Sequence, residues 1–292
     1  MIKPLTSLRF FFALLVFLSH YTVGENIIFP HGAIGVEFFF ILSGFIISYT
    51  YKQKITEKQI TTRNFLIARF ARVYPLHGLM LVLSVLLALR AAIRTDIPFP
   101  IGQLFFQIPL LQSFIPIKSY YFSFNAVSWS ISDELFFYVM FPLLISFFHT
   151  TKKRRLLIYG FGVLLLYFTA VFFIPEAYHH AIFYINPFCR IIDFIIGMSL
   201  FNVSSFIRSH KDRFIWLRNG NQWFATLVEL GVIGLMVFTV VLSKRIPQVY
   251  RYASYYWIPM SLIILVFAKP ANGGGGGGGG GTGFLGVCLW LG

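Results

Sequence analysis

Apolar runs of about 16 to 25 residues follow one another along most of the chain, separated by short segments in which Lys and Arg collect. As α-helices, runs of that length cross or nearly cross a hydrocarbon core of about 30 Å. The pattern predicts spans at about 5–22, 34–51, 65–90, 128–148, 156–174, 187–203, 223–243 and 253–268, followed by a partial run at the end. The expected fold is therefore all-α, a polytopic transmembrane helical bundle of about 8 to 10 helices. The first run has Lys3 ahead of it, as a signal peptide would, but SHYTVGENI after it lacks a small-x-small cleavage pattern. It is read as a retained helix.

Composition removes the soluble alternatives. Of 292 residues, 57% are hydrophobic and only 12% charged, which no ordinary globular domain matches. The net charge of +14 does not point to nucleic acid, because the cations sit in short connections and not on one soluble face. With the N-terminus inside, Lys3, Lys52, Lys54, Lys58, Arg63, Arg69, Arg72, Lys152, Lys153, Arg154, Arg155, Arg208, Lys211, Arg213, Arg218 and Lys269 fall on the inner side. They outnumber Arg90, Arg94, Lys118, Lys244, Arg245 and Arg251 outside, so a cytoplasmic N-terminus is expected, with the lipid bilayer as the first partner. Cys189 and Cys288 lie in apolar runs and imply neither a disulfide framework nor a thiolate metal site. His179 and His180 have no carboxylate or cysteine at ligand spacing, and no metal is expected.

Polar residues inside apolar helices are costly and mark candidate sites. Arg9 and His20 lie eleven residues apart, close to three turns, so they share one face of the first helix about 16 Å apart. Glu37, near the outer end of the second span, is expected at a depth comparable to His20, where it would orient the imidazole or stabilise its cation. Gly44, next to Ser43 near the middle of the second span, permits close helix approach. Arg69 and Arg72, spaced i, i+3 at the cytoplasmic end of the third span, suit a phosphate or pyrophosphate; snorkelling to lipid phosphates is the plainer alternative. Trp129, Asp133 and Glu134 open the fourth span at an outer edge, and at most one of the adjacent acids need face a cavity. Arg190 and Asp193 form an i, i+3 pair that either neutralises itself or contacts substrate. The connection from about 91 to 125, with aromatics around Tyr120, Tyr121 and Phe122, reads as an acceptor platform or an interfacial anchor.

Five short motifs stand in order over roughly residues 1–205. Arg9 to His20 fits R-x10-H, Phe39 to Gly44 fits FFxxSG, and Arg69 to Arg72 fits RxxR. WSISDELFFYVMFP is similar to WSxSxE...FY...P, and RIIDFIIG to R..EF..G with Asp193 in place of Glu. In this set the chain resembles the acyltransferase 3 family of integral membrane acyltransferases. The resemblance implies a single domain of that type over 1–292, in a bacterial inner membrane. The donor it implies is an acyl-coenzyme A, commonly acetyl-CoA, used from the cytoplasmic side. The acyl group would pass to a hydroxyl of an extracytoplasmic carbohydrate or glycolipid.

On this expectation the Arg9–His20 face lines a tunnel, His20 is general base or transient acyl carrier, and Glu37 orients it. Arg9 positions the donor, and Arg69 and Arg72, with Ser43 and Gly44, hold it. Trp129, Glu134, Arg190 and Asp193 contact the acceptor. A transporter or flippase would place the same charges along a substrate path, but no internal repeat is evident. A non-catalytic relative of the same fold is the other rival. The motifs fade after about 205. The nine glycines at 273–281 read as an artefact or placeholder, with the last one or two helices of a ten-helix core missing.

Overall fold

The computed structural model describes residues 3–23, 26–27, 32–95, 97–210 and 222–268. The glycine run at 273–281, the final apolar run, Cys288 and four of the expected inner cations (Lys211, Arg213, Arg218 and Lys269) lie outside the described residues. Nearly all of the rest is helical, as the alternation of apolar runs predicts. Six helices are long and apolar enough to cross a membrane, while Pro4–His20 and Ser254–Phe267 are shorter apolar helices. The expected first and last spans therefore reach only part of the length their neighbours do.

The chain divides into two compact units, unit 1 from residues 1–49 and 193–292, unit 2 from residues 50–192. Unit 1 begins with α1 (Lys3–His20), a minimal antiparallel pair β1 (Thr22–Val23) and β2 (Asn26–Ile27), and the larger part of α2 (Ala33–Thr56). It resumes in α9 (Pro187–Ser209) and continues through α10 (Gln222–Leu242), α11 (Gln248–Arg251) and α12 (Trp257–Phe267). Helices α10 and α12 pack along each other, and α1 touches α12. Glycines bring the backbones of this unit together. A Cβ on Gly35 would lie 2.8 Å from the Phe12 carbonyl oxygen, and beside it the Phe12 and Phe38 rings stack at 3.9 Å. The α2–α9 crossing is closer still. A Cβ on Gly44 would sit 2.0 Å from the Phe194 carbonyl oxygen, and one on Gly197 would sit 1.9 Å from that of Ile41. Each glycine thus accommodates the other helix's backbone, the small-residue packing that membrane helices use.

Unit 2 holds α3 (Thr62–Thr95), α4 (Ile101–Gln107), α5 (Lys118–Tyr121), α6 (Trp129–Thr150), α7 (Lys153–Phe173) and α8 (Glu176–His179). Helices α3 and α6 pack together, with Phe65 against Phe141 at 5.4 Å. Outward-facing Leu79, Val82, Leu86 and Leu87 of α3 and Leu157, Phe161 and Leu166 of α7 are exposed, as expected of helices that face hydrocarbon. α3 continues past its apolar span to Thr95, because nothing in Ala91 to Arg94 breaks a helix.

The connection after α3 is ordered and runs back along it. From His77 to Thr95 the helix rises about 27 Å. Yet the Ile108 carbonyl accepts from the Tyr74 hydroxyl at 3.1 Å, and the Gln107 carbonyl accepts from His77 Nε2 at 3.0 Å. Irregular backbone brought back along an apolar helix must have its polar groups satisfied by protein. Side chains do so here. Gln107 Nε2 donates to the Ser123 carbonyl at 2.7 Å, and Ser128 Oγ donates to Gln107 Oε1 at 3.1 Å. Gln112 Nε2 donates to the Ser128 carbonyl at 3.1 Å, and Ser132 Oγ to the Leu110 carbonyl at 2.5 Å. Leu110 takes a left-handed φ of 59°, closing α4 so that the chain turns toward α6. A single π-helical turn, His180–Ile185, then leads from α8 toward α9.

Candidate functional site

The candidate residues fall into both units. On α1, Arg9 is half-buried and His20 exposed at the last turn. His20 Nδ1 lies 2.8 Å from the Val16 carbonyl oxygen and 3.2 Å from Ser19 Oγ, while Ser19 itself donates to the same carbonyl at 2.6 Å. A carbonyl only accepts, so this contact places hydrogen on Nδ1 and leaves Nε2 of the neutral ring with its lone pair. Among the described residues nothing hydrogen-bonds to Nε2. The expected Glu37–His20 hydrogen bond is not formed: His20 bonds within its own helix, and Glu37 is completely buried on α2. The Glu37 carboxylate instead interacts electrostatically with the buried Tyr256, just before α12.

Ser43 is half-buried, and Gly44 is filled by the α9 backbone, which gives it a packing role. Asp193 on α9 is fully buried and accepts from Trp257 Nε1 at 2.6 Å. Unit 1 holds a third buried carboxylate, Glu229 in α10, that sequence reasoning passed over. A lone acid within LVELGVIG was the available signal.

In unit 2 the two arginines of α3 are not equivalent. Arg69 is half-buried and Arg72 exposed. An Arg69 terminal nitrogen donates to the Tyr51 hydroxyl at 2.8 Å, and the guanidinium carbon lies 4.9 Å from the Tyr51 ring centroid and 6.0 Å from that of Tyr138. Its Nε is buried and makes no hydrogen bond. Tyr138 in turn donates a short hydrogen bond to Glu134, its neighbour one turn earlier in α6. A chain of contacts thus links Tyr51, Arg69, Tyr138 and Glu134. Of the adjacent acids, Asp133 is the buried one and Glu134 is half-buried. One and a half turns beyond Arg72, about 7 Å along α3, His77 is buried against Gln107.

Trp129 at the start of α6 is buried, with its ring 4.8 Å from that of Tyr184 in the π-turn. Arg190 is wholly buried, its guanidinium 5.9 Å from the centroid of Tyr184. Tyr121, from the connection after α3, meets His180 at 3.3 Å between the hydroxyl and Nδ1. Burial, reinforced by the Lys118 ammonium, holds the His180 imidazole below its ordinary range, and burial pushes the Tyr121 phenol up. Tyr51 and Tyr184 escaped the sequence reading because their partners lie elsewhere in the fold. No group of three or more metal-ligating side chains occurs among the described residues.

Comparison with known proteins adds the following. A family model described as an acyltransferase domain matches residues 4–287. Acyltransferase MdmB of Streptomyces mycarofaciens is 34% identical over 170 residues, covering 53% of this chain and 42% of its own length. The peptidoglycan O-acetyltransferase OatA of Listeria monocytogenes is 25% identical over 247 residues, covering 75% of this chain and 37% of its own. Protein 2 in the picA locus of Rhizobium radiobacter is 50% identical over 50 residues, covering 17% of this chain and 26% of its own. The chain spans less than half the length of these curated relatives. No solved structure matches it.

Proposed function

The chain belongs to the acyltransferase 3 family, and from that premise we propose that it moves an acyl group, acetyl first among candidates, from cytoplasmic acyl-CoA to a hydroxyl of an extracytoplasmic carbohydrate. The observation that carries the reading is the state of His20. With hydrogen on Nδ1 committed to the Val16 carbonyl, Nε2 is the proton acceptor that a poor hydroxyl nucleophile requires. In the reaction Nε2 takes the hydroxyl proton, the oxygen bonds to the thioester carbonyl carbon, and the C–S bond breaks. The departing thiolate recovers the proton as the thiol. Arg9, three turns away on the same helix face, is assigned to positioning the donor and not to the reacting carbonyl. A covalent relay through His20 uses the same nitrogen.

The donor phosphates fall to Arg69 and Arg72. Supporting this, Arg69 is steadied by Tyr51 while keeping a buried N–H without a partner, and Arg72 is open to solvent. A bound phosphate satisfies both. Trp129, Glu134, Arg190 and Asp193 are assigned to the acceptor or to its support. An acetyl group and a glycan acceptor accord with the name of the Listeria relative, a peptidoglycan O-acetyltransferase. The cation distribution supports an inner N-terminus, and the family resemblance supports a bacterial inner membrane.

The test is transfer of label from acetyl-CoA labelled in the acetyl group, in membranes carrying the full chain. His20→Ala is expected to abolish transfer while still binding coenzyme. Arg69→Ala with Arg72→Ala is expected to lower kcat/KM for acetyl-CoA about 100-fold, as the loss of two charge-assisted contacts does. Full transfer by His20→Ala removes the base assignment. Transport of an unmodified glycan without movement of label favours a transporter.

A further inference from the structure

Unit 2 carries an aromatic cluster that joins the motif residues Trp129 and Arg190 to side chains outside the motifs. Two connections build it, the one returning along α3 and the π-turn His180–Ile185, and they are joined by the Tyr121–His180 hydrogen bond at 3.3 Å. In a π-turn, residues four apart come nearly into line, and the His180 and Tyr184 rings lie 5.2 Å apart. Both are half-buried. Behind them stand buried groups: Trp129 at 4.8 Å from Tyr184, Tyr121 against His180, and the enclosed Arg190 guanidinium at 5.9 Å from Tyr184. Here two rings are fixed by π-helical backbone, which is uncommon and recurs at functional sites.

We propose that Tyr184 and His180, backed by Trp129 and Tyr121, form a subsite for a pyranose ring of the acceptor, one sugar face lying on Tyr184 and its hydroxyl edge meeting His180. The chemistry fits the class. One face of a pyranose presents C–H groups of slight positive charge, complementary to the negative face of an aromatic ring, and its rim presents hydroxyls that both donate and accept. A neutral imidazole paired with a phenol offers both roles within one contact. Arg190 behind Tyr184 holds that ring by cation–π attraction and makes the position stiff. Lys118, which acts electrostatically on His180, favours sugars bearing an anionic substituent over neutral ones.

This inference rests on the acyl-transfer reading for its biological role, but binding tests it separately. The full chain in nanodiscs is mixed with chitotetraose, cellotetraose and a tetrauronate, and saturation-transfer NMR is read for each. At least one tetramer is expected to show transfer to its ring C–H protons, with the tetrauronate strongest. Tyr184→Ala and His180→Ala are each expected to weaken that binding at least 10-fold and to raise the acceptor KM by a similar factor, with the KM for acetyl-CoA unchanged. Tyr184→Phe, which keeps the face and loses only the hydroxyl, retains binding. Absence of saturation transfer to all three tetramers in the wild-type protein, or unchanged binding in Tyr184→Ala, overturns the subsite. Binding that depends on Tyr184 without any movement of acetyl label leaves the subsite standing and defeats the acyl-transfer reading.

Discussion

The first turns of α3 and the connection that returns to them treat polar groups in opposite ways. At the first, Arg63 and Arg72 are exposed and Arg69 is half-buried, steadied by a tyrosine, with one buried N–H unpaired among the described residues. At the second, Gln107, Gln112, Ser113, Ser128 and Ser132 are almost wholly buried and hydrogen-bonded to one another or to backbone. Permanent charge is expensive to bury, so the arginines stay where water or phosphate reaches them. Neutral amides and hydroxyls can be enclosed once they satisfy each other, and then they fix the path of a segment. The first region keeps most of its charge at the surface. The second is organised to hold shape.

The strongest way to break this contrast is to empty the enclosed network. Gln107→Leu takes the side-chain donor from the Ser123 carbonyl, while the Ser128 hydroxyl keeps the Asn125 carbonyl, and is expected to cost about 2 kcal/mol, within the usual penalty for a buried group left unpaired. Thermal unfolding in detergent measures it, and a cost within about 0.5 kcal/mol would show that the network is decoration. Next in size is Tyr51→Phe, which removes one hydrogen bond to Arg69 and leaves the ring beneath it. A loss of about 1 kcal/mol corresponds to a rise of roughly 5-fold in the KM for acetyl-CoA, with acceptor KM steady. A shift in the acceptor KM instead would place Arg69 on the wrong substrate.

The smallest effect sharpens the comparison through pH. His180 titrates below its ordinary value of 6.5 in the folded protein, so the unfolded chain takes up the proton first as pH falls. Its contribution to stability is therefore complete above about 6.5 and declines as the solution is acidified through that value. The thermal midpoint is expected to fall between pH 7.5 and 5.5 by more in the wild-type protein than in His180→Asn. Equal slopes would mean that neither burial nor Lys118 acts on this ring as the fold implies.

The helices were readable because a bilayer imposes a length on apolar runs, and α2, α3, α6, α7, α9 and α10 all cover their expected spans. Their ends were less readable. Hydrophobicity stops at Tyr51 and Arg90, but helical backbone continues to Thr56 and Thr95 until a breaking residue or turn arrives. The return of the 97–128 connection was hidden for a different reason. Its evidence lies in pairings such as Gln107 with Ser123 and Gln112 with Ser128, and an isolated glutamine carries no sign of its partner. Motif glycines were half-legible. Gly44 announced close packing, but only the fold matches it with Gly197 on α9. Asp193 was visible as a buried acid in an apolar run, whereas its donor Trp257 comes from a helix whose sequence shows no link to it.

The reciprocal crossing of Gly44 and Gly197 has a consequence in time. Unit 1 is interrupted in sequence by the whole of unit 2, residues 50–192, so α2 is made long before the helix whose backbone must lie against it. At roughly 5–20 residues per second, the ribosome takes on the order of ten seconds to cover that interval. Through that wait α1 and α2 have each other, through Gly35 and the Phe12–Phe38 stack, while the Gly44 notch stays open for α9.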